Sequence, residues 1–448
     1  MSTVETVDKT GEACESPFMR EFVARGFLHQ CTDLDYIDKL MMAPSSEEES
    51  VVSAYLGFDA TADSLHVGSL LQIMILRLLQ KHGHRPVVLI GGGTTKVGDP
   101  SGKDESRKLL DDATIDRNAA GIAEIFRTFL SFEEEEEKKE QRAAVIVNNK
   151  DWLEDLKYVE FLRDFGPHFS VNRMLSFDSV KTRLTREQPL SFLEFNYMIF
   201  QAYDFLELSR RQNVRLQLGG SDQWGNIVCG CELARRVDGR KVIGMTAPLV
   251  TTSDGRKMGK TAEGAVWLSK SKLPAYDYWQ FWRNVNDDDV KRFLKFFTDL
   301  DVDLIDGLAF EDAPSINAAK RMLADETTGL LHGRDVLPEI HRAVDDLFAA
   351  NGNNNNIGST DALPKLDLTR ADFDDNDAIP LVDLLIKVHF AKSKNEARRL
   401  IQGGGARLQN IKVDDVQATL TRSAFDSQPD LRLSSGKKKH AILRLLEE

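Results

Sequence analysis

Along the first half of the chain, apolar positions fall into short unbroken runs separated by longer stretches at helical spacing. Val51–Phe58 is the first run and reads as a strand. Leu70–Gln80, LLQIMILRLLQ, is nearly all apolar and predicts a helix buried against a sheet. Lys81–Pro86 is the turn, and Val87–Ile90 is a second strand without a polar face. Ala144–Val147, Val214–Leu218 and Lys241–Gly244 repeat that signature. Fully apolar strands alternating with helices predict an α/β fold whose parallel sheet is covered on both faces. Pro17–Leu40 carries apolar residues at helical spacing (Phe18, Phe22, Leu28, Tyr36, Ile37, Leu40), and from Trp152 to Arg173 the chain is mostly helical. After Trp267 helices continue to about Ala350, and the aromatics Tyr276, Tyr278, Trp279, Phe281 and Trp282 read as core and linker packing. Asn351–Thr360, NGNNNNIGST, is a low-complexity linker, prolonged by the Pro- and Asp-rich stretch to Asp377. Pro380 opens a small domain of two helices and short strands.

The runs end in polar, glycine-containing loops, where the candidate chemistry sits. Tyr55–Leu70, YLGFDATADSLHVGSL, passes from strand through a turn into a helix opening near His66–Gly68. Glycine in a first helical turn admits a ligand to the backbone, and free N–H groups there favour phosphate. Val87–Ile90 runs into GGGTTKVGDPSGKDESR, which matches neither standard phosphate cradle. A Walker A loop needs glycine where Val97 stands and Ser or Thr after Lys103; the dinucleotide fingerprint fails at Lys96. Asp99, Lys103 and Arg107 remain its useful side chains. In LEFNYMIFQAYDFL (193–206), Tyr197, Gln201 and Asp204 fall within about 60° of one another on a helix. Such polar groups on an apolar helix are costly unless they bond one another, water or a ligand. GGSDQWGN (219–226) puts a carboxylate and an amide at another strand end. DGRKMGKT (254–261) holds Lys257 and Lys260 in a glycine-containing loop able to close over a leaving pyrophosphate.

Composition narrows the setting. With 448 residues, 42% hydrophobic and 29% charged, the chain has room for roughly two to four water-soluble domains. It contains no apolar run of about 18 residues. Cys229 and Cys231 are too close in sequence for the usual zinc-ligand spacing, and with Cys14 and Cys31 they suggest a reducing, cytosol-like compartment without structural zinc. Met1–Ser16 matches neither a secretory signal nor an Arg-rich transit peptide. The net charge of -13 argues against non-specific nucleic-acid binding by the whole molecule. From Ile386 onward, however, 13 Lys and Arg stand against 7 Asp and Glu. Lys392, Lys394, Arg398, Arg399 and Lys437, Lys438 and Lys439 form a candidate phosphate-contacting patch on this tail.

Taken together, YLGFDATADSLHVG, GGGTTKVGDPSGK, YMIFQAYDFL, GGSDQWGN and KMGKT resemble the bacterial-type tyrosyl-tRNA synthetases, a class I family, from about Phe18 to the C-terminus. The resemblance implies a flexible N-terminus (1–17), a Rossmann-type catalytic domain (18–250) and a mobile lysine-loop linker (251–274). A helical tRNA-contacting domain (275–350), a flexible linker (351–379) and an S4-like α+β RNA-binding domain (380–448) would follow. It also implies a cytoplasmic homodimer that takes ATP with Mg²⁺, L-tyrosine and tRNA(Tyr), with no protein-bound metal. Tyr55 and Asp204 would meet the phenol, while Asp99, Tyr197 and Gln201 would meet the ammonium and Gln223 the carboxylate. Asp59, Gly68 and Asp222 would lie around the nucleotide. Thr61, His66, Lys103, Arg107, Lys257, Lys260 and Thr261 would attend the phosphates.

Two positions depart from the family pattern. H-x-G-H reads HVGS, and Ser69 can donate one hydrogen bond but never carries charge. K-M-S-K-S reads KMGKT, which on sequence trades a hydroxyl for loop freedom. Two rivals stay open: the sister enzyme for tryptophan, and a non-catalytic RNA-binding protein on the same fold.

Overall fold

The computed structural model describes residues 14–42, 51–100, 110–132, 142–255, 258–261, 264–349, 363–426, 428–436 and 439–446. They divide into two compact units, residues 1–272 with 285–323, and residues 273–284 with 324–448.

The first unit is built on six strands: β1 (Gln30–Cys31), β2 (Ser53–Asp59), β3 (Arg85–Gly91), β4 (Val145–Asn148), β5 (Val214–Gly220) and β6 (Ile243–Ala247). Their order across the sheet is β1-β6-β5-β2-β3-β4. All neighbours are parallel except β1, which pairs antiparallel with β6. From β2 the chain winds outward to β3 and β4, then returns to build β5 and β6 on the other side. The order therefore reverses between β2 and β5, where open α/β sheets form a crevice at their carboxyl ends.

Register widens that crevice. β2 and β5 pair only as far as Tyr55 opposite Gln217, with an irregularity after Ser53. β2 nevertheless stays on β3 to Asp59 opposite Gly91, and β5 stays on β6 to Gly220 opposite Ala247. The sheet thus splits along one seam for its last few residues.

Helices hold the seam's walls. The Leu70–Lys81 helix buries Leu70, Leu71, Ile73, Met74, Ile75, Leu76, Leu78 and Leu79, as its unbroken apolar run predicts. Its C-terminal end is tied down by Glu21, which accepts hydrogen bonds from Lys81, His82 and Arg25. The Phe192–Gln212 helix starts at a capping box of Ser191 and Glu194 and stops at Asn213, in the left-handed region at φ 50°. Its core face joins Tyr55, Val87, Trp152 and Leu233 in one apolar cluster.

Three sequence expectations change. Pro17–Leu40 is two helices, Pro17–Ala24 and Leu34–Leu40, flanking the edge strand β1. The strand expected at Lys241–Gly244 begins at Ile243, because Lys241 points outward, over the Tyr36 ring and onto Asp33. β7 (Lys260–Thr261) and β8 (Gly264–Ala265) form a small hairpin in the lysine segment.

In the second unit, the Ala275–Arg283 helix buries Tyr276, Tyr278, Trp279 and Trp282, so its aromatics are core. Asp325 accepts hydrogen bonds from the Trp279 indole and the His341 ring, both at 2.7 Å. Seven further strands follow: β9 (Lys365–Leu368), β10 (Ala378–Pro380), β11 (Ala406–Leu408), β12 (Ile411–Lys412), β13 (Thr419–Thr421), β14 (Asp430–Ser435) and β15 (Lys439–Leu445). Five make a sheet ordered β12-β11-β14-β15-β9, while β10 pairs with β13. The Leu381–Lys387 and Lys394–Gln402 helices share one apolar core with this sheet. β9 overturns part of the linker reading: Lys365–Leu368 pairs in parallel with Ile442–Leu445. Residues 351–362 lie outside the described residues.

Candidate active site

A cavity of about 290 Å³ opens in the seam between β2 and β5. It has a buried, closed end deep in the sheet and a polar mouth at the strand ends.

Asp204 stands at the closed end, only 2% exposed. Its carboxylate accepts hydrogen bonds from the Trp152 indole at 2.8 Å and the Asn149 amide at 3.0 Å. Burial outweighs these bonds and raises its pKa to about 7. Tyr55 faces the same space from β2. Its hydroxyl is buried, with no hydrogen-bond partner among the described residues. Burial first, and the Asp204 charge second, push its pKa well above the ordinary value, so it remains a neutral phenol. The buried side-chain amide oxygen of Gln217 also lacks a partner among the described residues. Orphaned polar atoms beside a buried carboxylate are costly in an empty pocket and suit a ligand carrying its own hydroxyl.

Midway, polar side chains interlock. The Gln223 amide donates to Asp99 at 2.8 Å, and Asn226 donates to Gln201 at 3.0 Å and to Gln223 at 3.2 Å. The Tyr197 hydroxyl donates to Asp59 at 3.2 Å, and Thr94 donates to the same oxygen at 2.9 Å. Tyr197, Gln201 and Asp204 all line the cavity, as their spacing on one helix face requires. Gly91 leaves room for this pair: a Cβ would lie 2.5 Å from both the Asp59 carboxylate and the Thr94 hydroxyl, and one of them would have to shift.

Thr61, His66, Ser69, Asp222 and Trp267 line the mouth. His66 adopts extended backbone before a 3-10 turn, and its Nδ1 accepts the Gly68 N–H at 3.0 Å. A neutral ring therefore carries its proton on Nε2. Gly68 sits in that turn beside the cavity.

The cavity gathers Tyr55, Asp59, Thr61, His66, Ser69, Asp99, Tyr197, Gln201, Asp204, Asp222 and Gln223. Lys103, Arg107, Lys257, Lys437 and Lys438 lie outside the described residues, while the backbones of Lys260 and Thr261 form β7. On the tail, Lys392, Lys394, Arg398 and Arg399 are exposed, with Lys394 paired to Asp383 at 2.8 Å; Lys439 is half-buried at the start of β15. Sequence reasoning missed Asn149 and Trp152, although the first ends a predicted strand. It also missed Gln72, Thr94, Gln217 and Trp267 in the lining.

A family model described as "tRNA synthetases class I (W and Y)" matches residues 47–349. Another, "Tyrosine--tRNA ligase SYY-like C-terminal domain", matches residues 361–443. The chain is 53% identical to the tyrosine--tRNA ligase of Rhodospirillum rubrum over 434 residues, spanning 97% of this chain and 99% of that one. The chain belongs to the tyrosyl-tRNA synthetase family. The Zymomonas mobilis tyrosine--tRNA ligase is likewise 53% identical, over 96% of this chain and 98% of its own. Among solved structures, a C-terminally truncated mitochondrial tyrosyl-tRNA synthetase from Aspergillus nidulans matches with a TM-score of 0.63 and 30% identity. That match covers 73% of this chain and 94% of that structure. Within this synthetase family the parallel sheet is the Rossmann-type catalytic core, followed by helical and C-terminal portions.

Proposed function

We propose that the seam cavity activates L-tyrosine with Mg-ATP, releasing pyrophosphate, and that the chain then transfers tyrosine to the 3′-terminal adenosine of tRNA(Tyr). The observation that carries this reading is the pairing of orphaned Tyr55 with buried, doubly hydrogen-bonded Asp204 at the closed end. A phenol there donates to Asp204 and accepts from Tyr55. Phenylalanine leaves Tyr55 unpaired and brings no donor to Asp204, which a buried site penalises heavily.

The ammonium then falls among Asp99, Tyr197 and Gln201, with Gln223 beside the carboxylate. That carboxylate is already ionised, so it attacks the α-phosphorus in line without a general base. The α-phosphorus–oxygen bond to pyrophosphate breaks as the new bond forms. Catalysis is orientation plus stabilisation of phosphate charge. Asp59, Gly68 and Asp222 hold the nucleotide; Thr61, His66, Ser69, Lys103, Arg107, Lys257, Lys260 and Thr261 serve its phosphates.

Other parts of the reading rest on separate observations. The C-terminal unit is read as an S4-like tRNA-binding module, because Lys394, Arg398 and Arg399 of the Lys394–Gln402 helix and Lys392 just before it are exposed, and Lys437, Lys438 and Lys439 add charge. Homodimerisation is supported by exposed apolar residues on the first unit, including Tyr158, Val159, Val171, Phe192 and Leu193. Four unpaired cysteines fit a reducing compartment such as the cytosol.

The test is amino-acid-dependent exchange of pyrophosphate into ATP, run with all twenty amino acids and no tRNA. Exchange with tyrosine alone is expected. Exchange with tryptophan would transfer the chain to the sister specificity, and none at all would leave an RNA-binding role.

A further inference from the structure

Of the two departures from the family pattern, Gly259 packs on the turn that leads into the other, Ser69. The backbone around His66 runs antiparallel to the segment after β8: the Val67 N–H donates to Val266 O and the Leu268 N–H to Leu65 O, both at 2.8 Å. His66 and Trp267 form the bridge between them. That segment in turn holds the strand carrying Lys260, through Val266 N–H to Gly259 O at 3.1 Å. On the other side, Met258 N–H donates to Val250 O at 3.0 Å, and the Met258 side chain is buried.

Gly259 therefore lies directly on the His66–Gly68 turn. Its φ is +88°, and a Cβ would come within 2.7 Å of the Gly68 nitrogen and 2.9 Å of His66 Nδ1. The contact is mutual, since a Cβ on Gly68 would lie 2.9 Å from Met258 O. Sequence alone suggested that glycine loosens this loop. Packing gives the opposite result, because the missing side chain lets two backbones touch.

We propose that Gly259 is a positioning residue, whose missing side chain seats the strand carrying Lys260 on the nucleotide-facing His66–Gly68 turn. The seating matters in this chain because Ser69, which lines the same mouth, is neutral. Phosphate charge then falls more heavily on groups delivered from outside the turn, and displacing such a group by an ångström costs about 10²-fold in rate. The inference rests on the reading of the cavity as a tyrosine-activating site.

A second glycine in the same loop supplies the control. Gly255 also has positive φ, at +82°, but among the described residues no atom lies within 4 Å of where its Cβ would be. Gly259→Ala adds strain and collision; Gly255→Ala adds strain alone. Both variants and the wild type are compared in tyrosine-dependent pyrophosphate exchange, with tyrosine binding by calorimetry as the check on folding. Gly259→Ala is expected to lower kcat at least about 30-fold, with tyrosine affinity held within about twofold, while Gly255→Ala stays within about threefold of wild type. A Gly259→Ala loss below about tenfold, an equal loss in Gly255→Ala, or a matching loss of tyrosine affinity would overturn the proposal. Absence of exchange in the wild type would instead remove the activation reading, and this inference with it.

Discussion

The two ends of the seam cavity are built on opposite plans. At the closed end the side chains are already buried and oriented: Asp204 is locked by Trp152 and Asn149, and the Tyr55 hydroxyl has no partner among the described residues. At the mouth the walls are backbone and loops, the His66–Gly68 turn and the Gly219–Gly220 strand end, with Gly259, just before the hairpin of β7 and β8, packed on that turn. A rigid buried end discriminates because a wrong ligand leaves polar atoms unpaired. A loop-built mouth suits a substrate whose phosphates change charge and position during the reaction. The contrast implies that selectivity and rate enhancement are separable in this molecule.

The largest effect that could break the contrast belongs to Asp204. Asp204→Asn keeps the shape but swaps an acceptor for a donor facing Tyr55 and the incoming hydroxyl. Its kcat/KM for tyrosine should fall by about 10³, with KM for ATP changed by less than about threefold, measured by exchange at varied concentrations of each substrate. Comparable losses for both substrates would mean that the two ends are not separate.

A smaller effect sharpens the contrast through pH. Burial holds the Asp204 pKa at about 7, so the carboxylate that accepts the phenol proton dominates above that pH and the neutral acid below it. Tyrosine affinity of the free enzyme should plateau on the alkaline side and weaken by up to about tenfold per unit on the acid side. Asn149 donates to the charged form. Asn149→Ala should therefore move the midpoint upward, whereas a purely structural role for Asn149 would weaken binding equally at every pH. Calorimetry across pH 5.5–8.5, roughly one and a half units either side of neutrality, separates the two outcomes.

Smallest is the effect of removing the proposed phosphate contacts of the tail. Arg398→Ala with Arg399→Ala should raise KM for tRNA by about tenfold in aminoacylation assays and leave pyrophosphate exchange unchanged. Loss of exchange would join the C-terminal unit to a site from which the account separates it.

What was legible in the sequence was local. Tyr197, Gln201 and Asp204 could be placed on one wall because a helix fixes neighbours at i+4 and i+7, whatever surrounds it. The apolar runs marked β2, β3, β4 and β5 because strands of a doubly covered sheet have no polar face. What escaped depends on partners distant along the chain. β1 is two residues long and exists because Thr246 and Met245 pair with it. β9 hid in a Pro- and Asp-rich stretch, and its partners lie more than seventy residues later. Trp152 reads as one more core aromatic until the fold brings its indole to Asp204. The splitting of β2 from β5, which makes the cavity, is a matter of register, and apolar strands carry little register information. Gly259 was misread for a related reason. A glycine's local freedom is visible in sequence, but the backbone that occupies its empty side is not.

The most direct measurement is calorimetric binding of tyrosine and of phenylalanine to the wild-type protein without ATP. If selectivity is held in the preformed closed end, tyrosine binds and phenylalanine is weaker by at least about 10³ before any nucleotide is present. Similar affinities for the two, with discrimination emerging only once ATP is added, would place selectivity at the mouth and contradict the account.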